Sequence, residues 1–322
     1  MNKKRALVKI IILFFILIII AYFNITYGLH LFEKSSDIDK TILLNLRLPR
    51  AVLAILAGGS LSICGAALQG VFRNSLVEPY TLGVSGGAAV GVAVALSLSL
   101  NKIFGVFLLI SAGFLGAILV LLLLYVIAIK NYKLDIKTLL LIGVMISFIS
   151  SSVLMLILAV SNTQNLHGII FWMMGSLSNA QNNLNIALGC ITLFGLFIFY
   201  LFANNLNALQ FGYEKGATLG VNVEQVIKIT VILSSLLTAA SVSVTGIIGF
   251  IGLIIPHIMR KIFYNDFRIL FIASFLGGAI FLMLSDFIAS KIIYPNELPV
   301  GVVTGILGGI FFIYIFRKEK RA

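Results

Sequence analysis

The stretch ITVILSSLLTAASVSVTGIIGFIGLIIPHIMR occupies residues 229–260 and carries no charged side chain before Arg260. It is too long for one upright membrane helix, which needs roughly 20 apolar residues to cross a hydrocarbon core near 30 Å, and it is short for two. Basic residues flank it on both sides. If both basic groups are cytoplasmic, the stretch crosses the membrane twice and turns near Gly246 and Gly249.

The composition indicates a protein dissolved mainly in lipid. Of the 322 residues, 60% are hydrophobic and only 11% are charged, which is more apolar side chain than one soluble core can bury. The net charge is +12, but Lys and Arg are scattered between apolar runs rather than grouped in a patch, so nucleic-acid binding is not expected. Residues 1–27 have a basic flank and an apolar run without a signal-peptidase site, which predicts a retained first membrane helix.

Apolar runs of membrane-spanning length predict the remaining helices. They lie near residues 8–27, 51–71, 81–100, 103–129, 138–160, 184–203, 269–290 and 298–316. With two crossings in 229–260, the sequence predicts an all-α integral membrane protein of ten transmembrane helices with both termini cytoplasmic. Seventeen of the 23 Lys and Arg residues then lie inside, as the positive-inside bias requires. The six outer ones are Lys34, Lys40, Arg47, Arg50, Lys102 and Lys291.

An internal repeat is visible between residues 56–74 and 237–255. Both segments alternate small residues, place a Gly at the same offset (Gly65 and Gly246), and are followed by a Gly-Gly pair, at 86–87 and at 277–278. On the topology above the two copies run in opposite directions. The sequence therefore predicts one permease domain over residues 1–322, built as an inverted repeat of halves 47–160 and 229–317, which is a transporter architecture.

Several kinds of active site have no motif in the chain. No charged residue falls in the middle of a predicted span, Asp286 being the nearest, so ion-coupled transport is disfavoured. The segment GYEKGATLG (212–220) lacks the Lys-Ser/Thr pair of a nucleotide-binding loop. The sequence thus predicts no catalytic residue, metal site or cofactor on this chain, and the energy must come from a partner. Contact of His167 with a substrate stays open.

The polar end of the opening stretch has a simple interpretation. Pro256 is expected in the last turns of a short eighth helix, where Arg260 emerges into the cytoplasm. The backbone carbonyl that a proline leaves without a partner is then expected to lie near water or other helices.

Six motifs, in order along the chain, resemble one known family. They are RLPR (47–50), GAALQGVFRNSLVEPYTLGVSGGA (65–88), FWMMGSLS (171–178), LGV (219–221), GFIGLIIPHIMR (249–260) and ELPVGVVTGILGGIFF (297–312). The chain is similar to the FecCD family, permease subunits of bacterial binding-protein-dependent ABC importers for iron-siderophores, haem and vitamin B12. Within these motifs and the ninth predicted span we single out Gln69, Asn74, Pro79, Gly249, Gly252, Pro256, His257, Arg260, Asp286, Glu297 and Pro299.

The resemblance implies partners and a location. They are a second permease subunit forming a homodimer or close heterodimer, two cytoplasmic ATPase subunits that carry ATP and Mg, and an extracytoplasmic solute-binding protein, all at the bacterial plasma membrane. The substrate expected is an iron chelate, either a siderophore or haem. A permease for cobalamin or an oxyanion is the alternative, and a self-powered secondary carrier is a more distant one.

The resemblance also assigns roles to particular residues. The loop 204–228 is expected to form two short helices that rest on the ATPase, with Gly216 and Gly220 supplying their tight turn. The residues expected at that contact are Glu214, Gly216, Ala217, Leu219 and Gly220. Two outer arginines, Arg47 and Arg50, are expected to pair with acidic residues of the solute-binding protein. A third arginine of the family falls on Ser290, with Lys291 beside it.

The only Trp of the chain predicts a gate. Trp172, Met173, Met174 and Gly175 lie in an outer segment without Lys or Arg, and we interpret them as a flexible apolar plug with a hinge at the glycine. Anchoring of the aromatic ring at the membrane interface is the alternative.

Overall fold

The computed structural model describes residues 3–27, 37–130, 133–134, 136–293 and 296–319. The predicted outer residue Lys34 lies outside these ranges. The helices are α1 Lys3–Thr26, α2 Asp37–Ile42, α3 Leu48–Phe72, α4 Val84–Ser97, α5 Asn101–Ala128, α6 Ile136–Val160, α7 Thr163–Met173, α8 Asn182–Leu201, α9 Ala203–Leu209, α10 Tyr213–Thr218, α11 Val223–Thr245, α12 Ile251–Phe263, α13 Phe267–Lys291 and α14 Val300–Glu319. A π-helical turn, Leu43–Arg47, and a 3-10 turn, Pro79–Leu82, precede α3 and α4, and a short antiparallel pair, β1 Ile129–Lys130 and β2 Lys133–Leu134, follows α5.

The all-helical membrane architecture is confirmed. Within the described ranges, 7 helices are long and apolar enough to cross a bilayer. Two shorter apolar helices, Val84–Ser97 and Val300–Tyr314, fall where further spans were predicted. The 14 residues of α4 and the 13 of α12 rise only about 20 Å at 1.5 Å per residue. The count of ten crossings and the cytoplasmic position of the termini therefore stay predictions.

The division of residues 229–260 into two helices is correct. Helix α11 ends at Thr245 and α12 begins at Ile251. Between the two helices, two residues hold positive φ angles: Gly246 at 71° and Phe250 at 70°. Positive φ is open to glycine but costs an L-residue such as Phe, so contacts around Phe250 must hold it in place.

Helix α3 is the centre of the fold. In the most apolar 18 residues of α3 and the turns before it, 83% of the residues are buried. In the most apolar 18 residues of α1, whose side chains face outward, only 11% are buried. Small residues let neighbouring helices approach α3 closely. A Cβ on Gly58 would collide with the carbonyl of Gly278 in α13, and one on Gly65 would collide with the carbonyl of Gly252 in α12.

Two breaks between helices, residues 73–83 after α3 and residues 246–250 after α11, are flanked by helices that make similar contacts. Helix α3 packs on α13 while α11 packs on α5, and α4 packs on α5 while α12 packs on α13. One detail of the predicted repeat is wrong. The glycine pair at 86–87 lies in the first helix after its break, but the pair at 277–278 lies in the second. Both pairs lie where two helices cross closely. Such crossings recur wherever backbones approach, so the two pairs do not occupy equivalent positions of the repeat.

Candidate functional site

Arg50 is the centre of an ion-pair cluster at one end of the molecule. It lies in the first turn of α3, and its Nε and Nη2 atoms donate to both carboxylate oxygens of Asp286 in α13 at 2.9 to 3.1 Å. Its Nη1 donates to Glu297, just before α14, at 2.8 Å. A bidentate pair of this kind is strong and geometrically specific. Arg50 is therefore not the freely exposed cation that the sequence suggested, since 21% of its side chain is accessible.

Arg47 closes the end of α1. Its Nη1 donates to the carbonyl oxygens of Ile25, at 2.9 Å, and of Tyr27, at 2.5 Å. A guanidinium at a helix C-terminus satisfies carbonyls that lack an intrahelical partner. Lys291 is exposed and places its Nζ 5.0 Å from the ring centre of Tyr27. The Ser290 hydroxyl donates locally to the Phe287 carbonyl.

The three predicted docking cations come together. Arg47, Arg50 and Lys291 line one cavity of about 500 Å³, together with Asp286 and Glu297. The cavity thus combines three cations with two carboxylates, of which Asp286 is 3% exposed. Sequence reasoning placed all five residues in motifs or outer segments, but it missed that the carboxylates neutralise Arg50 within the chain.

A second cavity of about 380 Å³ adjoins the Arg50–Glu297 pair. Trp172, Thr245 and Pro299 are among the residues that line it. Trp172 lies near the end of α7 and is half-buried, as is Met173, whereas Met174 is 37% exposed. The predicted gate residue Trp172 therefore borders this cavity.

The predicted hinge Gly175 lies in a confined position. Its φ is 74°, and an added Cβ would lie 2.5 Å from the carbonyl oxygen of Ile247. The next residue, Ser176, donates its N–H to the carbonyl of Thr245 at 2.7 Å. In this structure the segment is packed against the α11–α12 connection rather than loose. Its role as a gate stays a prediction.

A carboxylate that sequence reasoning did not single out lies at the same connection. Glu78 precedes the 3-10 turn and accepts a hydrogen bond from the backbone N–H of Phe250. Two residues on, the Tyr80 hydroxyl donates to the Ile248 carbonyl at 2.8 Å and accepts from the Ile248 N–H at 3.2 Å. These bonds hold Phe250 at its positive φ. The sequence signal was the motif VEPY itself, but only the fold brings it to residues 248–250.

Pro79 and Gly252 explain why small and rigid residues occur at this junction. A Cβ on Gly252 would lie 2.7 Å from Pro79 Cδ and 2.9 Å from the carbonyl oxygen of Leu61. The 3-10 turn, α12 and α3 therefore meet without room for a side chain. The other motif glycine, Gly249, is half-buried with open space around it, and the Asn74 side chain accepts the Leu76 N–H at 2.9 Å in an exposed turn.

Gln69 replaces the hydrogen bond that Pro256 removes. Pro256 is the sixth residue of α12 and is buried, so the carbonyl four residues earlier, Gly252, has no intrahelical donor. The Gln69 Nε2 donates to that carbonyl at 3.0 Å and to the Leu253 carbonyl at 3.2 Å. The free carbonyl was expected near water or other helices, and it lies against α3; Pro256 itself lies in the middle of α12 and not in its last turns.

Arg260 does not simply emerge into solvent. Its guanidinium is half-buried and donates to the Gln69 side-chain oxygen and, at 3.2 Å, to the Ala66 carbonyl. The Gln69 amide must turn its oxygen to Arg260, since its nitrogen is engaged by α12. His257, one residue after the proline, is also half-buried. The length of the arginine side chain lets it reach α3 rather than water, which composition cannot reveal.

The two short helices expected in loop 204–228 are present as α9 and α10. The turn between them is made by Gly212, with φ 119°, and not by Gly216, which is buried in α10 against Leu209. Gly220 ends α10 with φ 83° and has no neighbour within 4 Å of an added Cβ. The predicted turn position was wrong because the first glycine of GYEKG, not the second, takes the positive φ.

The surface of α10 is largely exposed. Glu214, Ala217 and Gly220 are exposed, and so are two large apolar side chains, Leu219 at 65% and Phe211 at 69%. Exposed large apolar side chains beside small residues are typical of a protein contact. Within the described ranges, no group of three or more His, Cys, Asp or Glu side chains is placed to hold a metal ion.

The comparisons with known proteins identify the family. The profile of the FecCD transport family matches residues 7–318. The chain belongs to the FecCD transport family. It is 39% identical over 282 residues to the uncharacterized ABC transporter permease protein YvrB of Bacillus subtilis, covering 87% of this chain and 80% of that one. This FecCD protein is accordingly a multi-pass plasma-membrane protein, and its relatives are ABC permease subunits, which are transport components.

The relatives with assigned substrates differ in the substrate that they are named for. The chain is 34% identical to the hemin transport system permease protein HmuU of Yersinia pestis, covering 89% of this chain and 86% of that one. It is 37% identical to the cobalamin import system permease protein BtuC of Halobacterium salinarum, covering 93% and 80%. A solved ABC transporter assigned to the metal-chelate type, in an inward-facing conformation, superposes with a TM-score of 0.88 at 28% identity over 96% of this chain and 98% of that one.

Proposed function

We propose that this FecCD protein is the permease subunit of an ABC importer that moves an iron chelate, a siderophore or haem, across the bacterial plasma membrane. ATP is hydrolysed on a partner chain. The proposal that a partner chain hydrolyses ATP rests on the exposed apolar face around Phe211, Ala217 and Leu219 on the α9–α10 pair. Such a face is stabilised when a partner covers it.

The assembly that we propose has two permease subunits, as a homodimer or close heterodimer, two ATPase subunits and one solute-binding protein. Copurification tests it: the membrane protein should retain an ATP-hydrolysing subunit. Leu219→Asp should reduce that retention, because it puts a charge into an apolar contact. Thr218→Asp, at a neighbouring exposed residue whose polar side chain makes no such contact, is the matched control. Equal retention in all three proteins would refute the docking face.

An inverted repeat of halves 47–160 and 229–317 supports the importer interpretation. The reciprocal packing of α3 on α13 and of α11 on α5 favours it, and so does the short helix that follows each break. In inverted-repeat transporters the pathway lies at the interface of the halves. A self-powered carrier would show uptake in vesicles that contain this chain alone, and the proposal predicts none.

The substrate class rests on relatives rather than on a pocket. Hemin and iron chelatin are the substrates named for relatives at 34% and 36% identity. Cobalamin import is the second candidate because of the 37% identical relative from Halobacterium salinarum. A binding titration of the partner solute-binding protein with a ferric siderophore, haem and cobalamin decides between them. Tight binding of cobalamin alone would overturn the iron-chelate proposal.

We place the solute-binding protein at the cavity lined by Arg47, Arg50 and Lys291. Charge reversal at Arg50 is a poor test, since it also breaks the internal pair with Asp286. Lys291→Glu is cleaner because Lys291 is exposed. It should slow docking and change its salt dependence, as rim charges act mainly on association rate. Lys40→Glu, on a lysine outside this cavity, should have a smaller effect, and equal effects would refute the site.

We propose that Trp172 and its neighbours gate the outer cavity. The support is that Trp172 lines the 380 Å³ cavity and packs at the α11–α12 connection. Trp172→Ala should change both uptake and the basal ATPase rate of the complex. If neither changes, the ring serves only to anchor the segment.

A further inference from the structure

A small polar cavity opens beside the last turn of α3. Its volume is about 230 Å³, and it is lined by Gln69, Gly70, Arg73, Gln210, Arg260, Asn265 and Phe267. The wall therefore includes two arginines and three residues with side-chain amides, while no Asp or Glu of the described residues forms part of it. A water molecule occupies about 30 Å³ of liquid, so the space is large enough for a group such as phosphate.

The Arg260 guanidinium is held in a fixed position by neutral partners. Its described bonds go to the Gln69 side-chain oxygen and to the Ala66 carbonyl. Gln69 is itself fixed by its bonds to the carbonyls of Gly252 and Leu253. Arginine has five N–H donors, and these two acceptors leave donors available on the cavity side. A half-buried cation without a carboxylate partner is costly unless an anion balances it.

The second arginine of the cavity, Arg73, has an unusual backbone conformation. Arg73 ends α3 with φ 48°, a left-handed conformation that is uncommon for a non-glycine residue. Its side chain is exposed to solvent and forms no ion pair with the described residues. Arg73 can therefore move onto a ligand that Arg260 already binds.

The nearest carboxylate is engaged elsewhere. Asp266 pairs with Arg268 at 2.9 Å and accepts from the Asn207 amide at 2.9 Å. Gln210 closes the opposite wall by donating to the Asn265 carbonyl at 2.6 Å. Both carboxylate oxygens of Asp266 are thus engaged by Arg268 and Asn207, and Asp266 is not part of the cavity wall.

We propose that this cavity binds a phosphate-group oxyanion, with Arg260 as the fixed donor and Arg73 as the closing one. Guanidinium matches phosphate oxygens in planar, bidentate geometry. The phosphate can come from a free ion or from the headgroup of an anionic lipid. A carboxylate side chain of the partner ATPase is disfavoured, because Phe211, Ala217 and Leu219 of the exposed face do not line the cavity.

The test uses the full-length chain purified without partners. Inorganic phosphate is titrated at constant ionic strength, and binding is followed by thermal stabilisation and by equilibrium dialysis. In a second arm, the protein in nanodiscs of phosphatidylglycerol or phosphatidylcholine is analysed by native mass spectrometry for retained lipid. Arg73→Gln and Arg260→Gln should weaken binding roughly ten- to hundredfold, the loss expected for one charge-assisted contact.

Arg317→Gln is the matched control, since Arg317 is an exposed cation of α14 outside the cavity wall. Because Arg260→Gln also disturbs α12, Arg73→Gln decides the outcome if the Arg260 variant fails to fold. Binding of free phosphate or of phosphatidylglycerol that both cavity variants weaken and the control keeps supports the site and identifies the source.

Three results overturn the proposal. The first is no binding of either source to the wild-type chain at about 10 mM phosphate, which would reveal even a millimolar site. The second is an equal loss in Arg317→Gln, which would mean a general effect of charge. The third is no anion binding by the chain alone together with loss of ATPase assembly in Arg73→Gln, which would assign the cavity to a partner carboxylate.

Discussion

The hydrogen bond from Gln69 to the carbonyl that Pro256 leaves free gives a double-mutant prediction. Gln69→Leu removes the donor to Gly252 at 3.0 Å and the acceptor of Arg260. An unsatisfied buried carbonyl costs about 1–3 kcal/mol, and a lost bond to a charged group costs about as much. We therefore expect Gln69→Leu to lower the free energy of unfolding by about 3 kcal/mol.

Pro256→Ala should rescue part of this loss. Alanine at 256 restores a backbone N–H that can donate to Gly252, so the carbonyl no longer depends on Gln69. The Arg260 bond is not restored. We expect the loss caused by Gln69→Leu to be smaller in the Pro256→Ala background by about 1–2 kcal/mol, which is well above the additivity error of about 0.5 kcal/mol.

The assay is reversible unfolding in mixed micelles, followed by circular dichroism for the wild type, the two single variants and the double variant. Gln225→Leu, the same substitution at an exposed position, controls for the change from polar to apolar. If the two substitutions are additive, Gln69 does not serve the carbonyl of Gly252, and the reasoning about Pro256 is wrong.

Three further predictions follow from single contacts. Arg50→Gln leaves the buried Asp286 unpaired and should cost about 3 kcal/mol, measured by the same unfolding assay, while a cost below that of an exposed pair would contradict it. Gly175→Ala should destabilise more than Gly105→Ala, because both residues have positive φ but only Gly175 meets a neighbouring carbonyl, at 2.5 Å. Asp266 caps α13 and its pKa is lowered by hydrogen bonding from Arg268, so its stabilisation is present above the unfolded pKa and is lost as pH falls through the folded one. Asp266→Asn should abolish that acid dependence, and an unchanged pH profile would argue against the pair.

The helical elements could be predicted from the sequence because membrane spans obey a simple length rule. The division of residues 229–260 followed from charge alone, on the expectation that the flanking basic residues share one side of the membrane. The α9–α10 pair was expected from the family resemblance, and the structure contains it. What the sequence could not give was the position of the turn at Gly212, because both GYEKG glycines fit a left-handed position equally well.

The partners of the charged residues could not be predicted from the sequence. Arg50 and Asp286 are 236 positions apart, and Gln69 and Arg260 are 191 apart, so no local pattern connects them. Charge counting treated Arg50 and Arg260 as cations that reach water, yet both donate to groups inside the fold. Long-range pairing depends on how α3 crosses α12 and α13, and that crossing is set by Gly58, Gly65 and their neighbours.

The α11–α12 connection contacts both the Trp172 segment that borders the 380 Å³ cavity and the turn that follows α3. On one side Gly246 packs against the Trp172 carbonyl, and on the other Tyr80 holds both backbone groups of Ile248. Close-packed junctions of this kind shift between discrete arrangements rather than deform continuously. We therefore expect a displacement of Trp172 to disturb the two hydrogen bonds of Tyr80. If Trp172 gates the cavity as we propose, this connection is the element through which we expect its movement to reach the turn at Tyr80.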